Sequence, residues 1–270
     1  MQLFRKIILC AVGVLSPCLN AAGQSGAEFK VFQTMAFFGR PDFRKFGIEQ
    51  LTVADPHVLG PDVPEAHRVQ KALELPRANQ YLAIDIEDWP LDGTNAERAT
   101  SIAKYQATLT AFRKADPSLR LGLYSVLPMR DYWRAIGAGG NDAFQDWQSR
   151  NTEIASALVP YVDALFPSVY SPYGDIKAWK AYAEANLKEA RRISRGKPVY
   201  CFLWPQFKTL AFVPGDLWAA ELDTCKQFAD GLVIWGPVGS PVDPTVAQWN
   251  EQAEWWQATV KFMRKIGKMR

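Results

Sequence analysis

The chain has 270 residues, 48% of them hydrophobic, with 31 basic side chains against 28 acidic ones. That is enough apolar sequence for one large core, and α/β barrels fill this length as a single domain. The near balance of charge argues against a nucleic-acid or polyphosphate partner, which would favour a basic excess.

Residues 1–23 read as a signal peptide. A short basic start, MQLFRK, leads into the apolar run IILCAVGVLSPCL and then into small residues, NAAGQ, that suit cleavage. The run is shorter than the roughly 20 residues a membrane span needs, so no stable membrane insertion is expected. Cys18 follows Leu15-Ser16-Pro17, a poor match to a lipoprotein signal. Simple export to the periplasm or the medium is the expectation. It removes Arg5 and Lys6, leaving a net charge of +1. Cys10 and Cys18 also leave, while Cys201 and Cys225 remain where a disulfide can persist. Whether these two pair depends on geometry that spacing alone does not supply. Residues 24–270 are expected to form one catalytic domain, working as a monomer.

In chain order, short β-like runs alternate with longer helical patterns. The predicted strands are KVFQTMAFF (30–38), QLTVADP (50–56), YLAIDIE (81–87), RLGLYSV (120–126), ALFPSVY (164–170), KPVYCFLW (197–204) and GLVIWG (231–236). Most are apolar on both faces, as parallel strands covered by helices are. Helical periodicity falls at 96–115, 143–162, 176–193 and 217–229, with a closing helix at 244–268. Asp116-Pro117 and Gly196-Lys197-Pro198 punctuate helix ends. Repeated β-then-α units predict a parallel sheet, and about seven of them are best accommodated by a (β/α) barrel of the TIM type with seven to eight strands. An open doubly wound sheet is the alternative, but MAFFGRPD after the first strand is no Gly-rich phosphate loop.

A barrel carries its chemistry at the C-terminal ends of its strands. The third strand ends in Asp85-Ile86-Glu87-Asp88. Residues i and i+2 of a strand face the same way, about 6.6 Å apart. Asp85 and Glu87 are therefore expected to point together into the barrel mouth, with Asp88 turned aside to cap a loop or meet a basic side chain. Two neighbouring carboxyls in a partly dry pocket cannot both ionise freely, so one pKa is expected to rise. A carboxylic acid that keeps its proton near neutral pH suits general acid catalysis of glycosidic cleavage, and an ionised neighbour stabilises positive charge.

Other strand ends bring Tyr124, Tyr170, Tyr173, Trp204 and Trp235 toward the same mouth. Such aromatic walls suit the apolar faces of sugar rings, and their polar tips add hydrogen bonds. Arg130 and Asp131 follow the fourth strand and can contact polar substituents. Tyr170 and Trp235 also fit a plain core role, and Trp147, Trp179, Trp218 and Trp255 fall on helices. His57 and His67 match no metal-ligand spacing and read as loop or surface residues. No metal and no cofactor is expected. The basic end KFMRKIGKMR reads as a solvated helix face.

Taken together, AIDIEDWP, LGLYSVLP, FPSVY, KPVYCFLW, ADGLVIWG and the early FRKFGIEQL occur in an order that resembles the hyaluronidase family of glycoside hydrolases, over residues 30–240. The resemblance implies a distorted (β/α) barrel and a retaining hydrolase that cuts beside N-acetylhexosamine, using the substrate's acetamido oxygen as nucleophile. It implies Glu87 as acid and base, Asp85 and Tyr170 on the acetamido group, and Tyr124 and Trp235 lining its pocket. The chain departs from the family in its shorter length, in lacking the family's disulfide frame, and in SVLPMRDYW, which stands where an Asp-Cys-Tyr continuation is the pattern. The expected partner is a polysaccharide or oligosaccharide. A chitinase-type glycosidase ranks second, because Tyr81 and Ala83 occupy positions where that barrel carries aspartates. A non-catalytic carbohydrate-binding barrel is the alternative outside enzymes. A hydrolase with an ordinary carboxylate pair would need Asp131 or Asp175 as its second acid.

Overall fold

The structure, a computed structural model, describes residues 28–237 and 248–269. The signal-peptide reading of residues 1–23 therefore lies outside the described residues. Among the described residues there are seven strands: β1 (Lys30–Met35), β2 (Glu49–Gln50), β3 (Thr52–Ala54), β4 (Tyr81–Ile84), β5 (Arg120–Leu123), β6 (Tyr200–Leu203) and β7 (Gly231–Gly236). They form two parallel sheets, in the orders β2-β1-β7-β6 and β3-β4-β5.

β2 and β3 flank Leu51, whose N–H donates to Gln33 O at 2.8 Å. Across the other gap, single parallel bridges join Tyr124 to Phe166, Leu165 to Val199 and Ser168 to Phe202. The run 164–170 thus pairs on both sides without becoming a continuous strand. Pro167 sits in its middle and has no N–H to give to a ladder.

The helices are α1 (Pro56–Leu59), α2 (Ala66–Leu73), α3 (Asn95–Ala115), α4 (Gly140–Leu158), α5 (Ile176–Ile193), α6 (Gly215–Phe228) and α7 (Glu254–Lys265). α3 opens on a capping box, Thr94 with Glu97, and Asp175 caps α5 by accepting from Ala178 N. α1 and α2 occupy a stretch between the second and third predicted strands where no helix is expected from periodicity. Asp55 accepts from the N–H groups of His57 and Val58, and Pro56 stands at the first helical position, so this pair ends the predicted strand 50–56 and starts a helix. The predicted closing helix begins later than expected, at Glu254, and its first residues, 244–247, lie outside the described residues. Among the described residues no helix is long and apolar enough to cross a membrane.

Side-chain alternation divides the core in two. Phe32, Leu51, Ala83, Tyr124, Ala164, Phe166, Tyr200, Phe202 and Val233 form one cluster on one face of the strands. Leu82, Ile84, Leu121, Leu123, Cys201, Leu203, Leu232 and Ile234 point the other way and meet the helices. Gly122 keeps the inner layer possible: a Cβ there would lie 2.3 Å from the ring of Phe166. Because Tyr81 and Ala83 belong to the inner set, the strand period carries Asp85 inward as well.

Cys201 on β6 and Cys225 on α6 form a disulfide, with Cα atoms 6.6 Å apart. Both are buried.

Candidate active site

The ladder of β4 stops at Ile84, earlier than the predicted strand 81–87 requires. Beyond Ile84 the chain is held one residue at a time. Asp85 N donates to Ala54 O at 2.9 Å, continuing the pairing with β3 by one bond. Tyr105, from α3, donates its hydroxyl to Ile86 O at 2.6 Å. The buried indole of Trp89 donates to Pro61 O at 3.2 Å and meets the Tyr105 ring edge-on at 4.8 Å. Ser101 Oγ donates to Pro90 O at 2.7 Å. DIEDWP is thus a segment clamped by side chains from α3 and anchored by its own tryptophan.

The two carboxyls have different surroundings. Asp85 is partly buried, and Glu87 is exposed at the end of the clamped segment. Burial, with the charges of Glu87, Asp55 and Asp88 beside it, pushes the Asp85 carboxyl up to about 7. The raised acid is therefore Asp85, whereas the resemblance gives the proton-donor role to Glu87. Asp55 is a further member of the group, one that the sequence motifs do not single out. Its signal is nonetheless present: it follows the second strand as Asp85 follows β4, and the parity of Leu51 and Val53 carries it to the same face of the strands. Asp88 is exposed, and it makes no hydrogen bond or ion pair among the described residues, contrary to the cap or ion pair expected of it.

Beside the carboxyls, Tyr170 stacks on Trp235 with ring centroids 5.8 Å apart, and meets Trp204 at 5.7 Å and Tyr124 at 6.2 Å. Tyr124 donates to Ser168 Oγ at 3.3 Å, and burial pushes its phenol up to about 12. Burial first, then Tyr124 and the charges of Asp85 and Glu87, hold the Tyr170 phenol well above its ordinary range, so it is a neutral donor at any working pH. The indole of Trp204 is buried and donates to Gln206 Oε1 at 3.0 Å, placing it behind Tyr170 and Trp235.

Tyr173 is not part of this group. It lies on the outer side of the loop, its ring 5.4 Å from Tyr132. A cleft of about 290 Å³ runs from Glu87 and Trp89 past Tyr124 and Ser125 to Arg130. Arg130 is exposed, and its Nη1 lies 3.4 Å from Ser168 Oγ, to which it donates. Asp131 is taken up by Arg134 at 2.6 Å, and Asp175 by the N-terminus of α5, so neither is placed as a second acid. His57 and His67 are exposed on α1 and α2. At the chain's end Lys265 pairs with Asp223, and Lys268 with Glu28.

No protein-family model matches the sequence, and no curated protein matches it. Solved structures do. The chain superposes on bee venom hyaluronidase with a TM-score of 0.62 at 14% identity, covering 90% of this chain and 98% of that one. A second structure of bee venom hyaluronidase, in complex with a hyaluronic acid tetramer, gives the same TM-score and identity over 89% of this chain and 96% of the other. At this identity the likeness is one of fold: the chain has an α/β architecture with parallel sheets, like that of a glycoside hydrolase.

Proposed function

We propose that this protein is a glycoside hydrolase that cleaves glycans beside N-acetylhexosamine units. The observation that carries the reading is the pairing of a half-buried Asp85, its carboxyl raised to about 7, with an exposed Glu87, next to the Tyr124–Tyr170–Trp235 cluster. Mere binding of a sugar needs no clamped acid pair. The same reading takes the two sheets and the bridged run 164–168 as one seven-stranded barrel, with the site over its C-terminal mouth. It also takes the protein as exported, which the Cys201–Cys225 disulfide suits.

In the proposed reaction Glu87, the carboxyl that a leaving group can reach, donates its proton to the glycosidic oxygen. The acetamido oxygen of the sugar attacks the anomeric carbon as that bond breaks, so the intermediate is a cyclic oxazolinium and not a glycosyl-enzyme ester. Asp85, in its ionised form, accepts from the acetamido N–H and stabilises the positive charge that develops on the nitrogen. Tyr170 donates to the acetamido oxygen, and Tyr124 and Trp235 enclose the methyl group. Water then opens the ring, with Glu87 taking back a proton. Arg130, at the far end of the cleft, is placed for a polar or acidic substituent on a neighbouring sugar.

The test is release of reducing ends from hyaluronan, chondroitin and chito-oligosaccharides between about pH 4 and 8, for wild type, Glu87→Gln and Asp85→Asn. Loss of cleavage in Glu87→Gln identifies the acid. Loss in Asp85→Asn as well supports the acetamido route. Glycan binding without cleavage of any substrate replaces this reading with that of a carbohydrate-binding barrel. Cleavage that survives Glu87→Gln makes the DIED carboxyls structural.

A further inference from the structure

Glu221 has no part in the chemistry above, and its side chain is fully buried. It lies in the middle of α6, one turn before Cys225, on the face that the disulfide draws against β6. Its Oε1 accepts a hydrogen bond of 2.5 Å from Ser171 Oγ, and its Oε2 has no hydrogen-bond partner among the described residues. Burial pushes this carboxyl up from the usual carboxylate range. Burying a polar group that leaves one oxygen unsatisfied is costly, and an apolar side chain of the same size would avoid that cost. Stability is thus a poor reason for a glutamate here.

What the bond holds is the residue after Tyr170. The stretch 168–171 leaves the strand ladder, and apart from Val169 N donating to Phe202 O at 3.1 Å its anchors are side chains. Two come from α5: Tyr182 donates its hydroxyl to Ser168 O at 3.2 Å, and the Trp179 indole donates to Val169 O at 2.9 Å. Both act before Tyr170. Glu221 supplies the anchor after it, through a serine that is itself buried. With both flanks tied, the Tyr170 ring stands between Tyr124 on one side and Trp204 and Trp235 on the other.

We infer that Glu221 is a positioning residue, which fixes the Tyr170 hydroxyl over the mouth of the strands by holding Ser171. The catalytic consequence rests on the glycosidase reading; the placement of Tyr170 does not. A phenol that must meet an acetamido oxygen as charge develops gains from rigid placement, since small displacements cost rate more than affinity.

Three variants of the full chain test this. Glu221→Gln keeps an acceptor for Ser171, Glu221→Leu removes it while filling the space, and Ser171→Ala removes the donor alone. The tyrosine ring signals of uniformly 13C-tyrosine-labelled protein are recorded for each, with Tyr170 assigned from Tyr170→Phe. The signal is expected to move or broaden in Glu221→Leu and Ser171→Ala and to stay at its wild-type position in Glu221→Gln. On the glycan that wild type cleaves, kcat is expected to fall about tenfold in the first two with KM little changed, the double variant to lose no more than either single one, and Glu221→Gln to recover the rate. A Tyr170 signal unmoved in both Glu221→Leu and Ser171→Ala overturns the inference, as does full kcat in both. Should Glu221→Leu fail to fold, Ser171→Ala carries the decision. If wild type cleaves no glycan, the glycosidase reading falls while the Tyr170 signal still decides the positioning role.

Discussion

The hydroxyl of Tyr105, from the middle of α3, donates to the carbonyl of Ile86 at 2.6 Å, and so holds the residue that separates Asp85 from Glu87. The helix thereby ties down the backbone between the two carboxyls. The bond is buried, and Tyr105 also packs its ring against Trp89.

Replacing this tyrosine by phenylalanine keeps the ring and removes the donor. The buried Ile86 carbonyl is then left without that bond, at a cost of about 1–2 kcal/mol in stability. On the proposed function the rate is expected to fall as well, roughly tenfold, because the acid pair loosens. Urea unfolding and kcat for Tyr105→Phe check the two effects separately; a drop in stability with kcat intact would show that the clamp does not serve the carboxyls.

Asp85 makes stability depend on pH. Its carboxyl takes up a proton near 7 in the folded chain and near 3.8 when unfolded, so between these values the folded form binds more protons. The favourable contribution is complete below the lower value and is lost as pH rises through the upper one. Asp85→Asn, which is neutral throughout, is expected to match wild type at acid pH. At about pH 8 it should be the more stable by on the order of 2 kcal/mol, after allowance for the partial exposure of the group. Melting temperatures of the two proteins across that range decide it, and a constant difference would mean that Asp85 titrates normally. The same substitution is expected to reduce activity, which is the usual relation between a strained site and a stable one.

The disulfide between Cys201 and Cys225 closes a loop of 24 residues in sequence separation. Its loss, in Cys225→Ala with Cys201→Ala, is expected to cost about 3 kcal/mol through the entropy of the unfolded chain. The denaturant midpoint of the double variant against wild type measures this. An equal midpoint for the reduced and oxidised wild-type protein would count against the pairing.

Gly122 tests the packing of the inner core. A methyl group there would come within 2.3 Å of the Phe166 ring and 2.8 Å of the Ala164 carbonyl, and the second of these is backbone that cannot turn away. Gly122→Ala is expected to destabilise the protein by about 2–3 kcal/mol, as overpacked cores do. Since Phe166 bridges to Tyr124 and both rings pack on Phe202, activity should fall with it. A melting temperature equal to that of wild type would show that the strands are further apart than this.

Much of the site is present in local pattern. The apolar run Tyr81–Ile84 is enough to carry Asp85 inward, because the strand period is fixed by backbone geometry; the ladder ends at Ile84, and Glu87, beyond it, is near enough to raise the Asp85 carboxyl. In the same way the inward parity of Phe166 and Ser168 reaches Tyr170, and that of Val233 reaches Trp235. Helices α3, α5 and α6 follow from their periodicity and their ends. The short α1 and α2 do not, because four- and eight-residue helices carry too few turns for periodicity to show; the Asp55-Pro56 cap is their local sign.

Other properties required the tertiary structure. Which carboxyl keeps its proton is set by its surroundings. Asp85 keeps its own through burial first, then through Glu87 and through Asp55, which stands just past β3 and 30 positions away in the chain. The pairing of Cys201 with Cys225 depends on where α6 lies against β6. Tyr173 comes three residues after Tyr170 yet points to Tyr132, a direction that no alternation rule gives once the strand has ended. The sequence by itself determined the order of the elements, the inward faces of the strands and the residue types at their ends, since these depend on short-range backbone geometry. Desolvation, charge proximity and the clamps on DIEDWP and on Tyr170 arise between segments far apart in the chain, and only their packing together decided them.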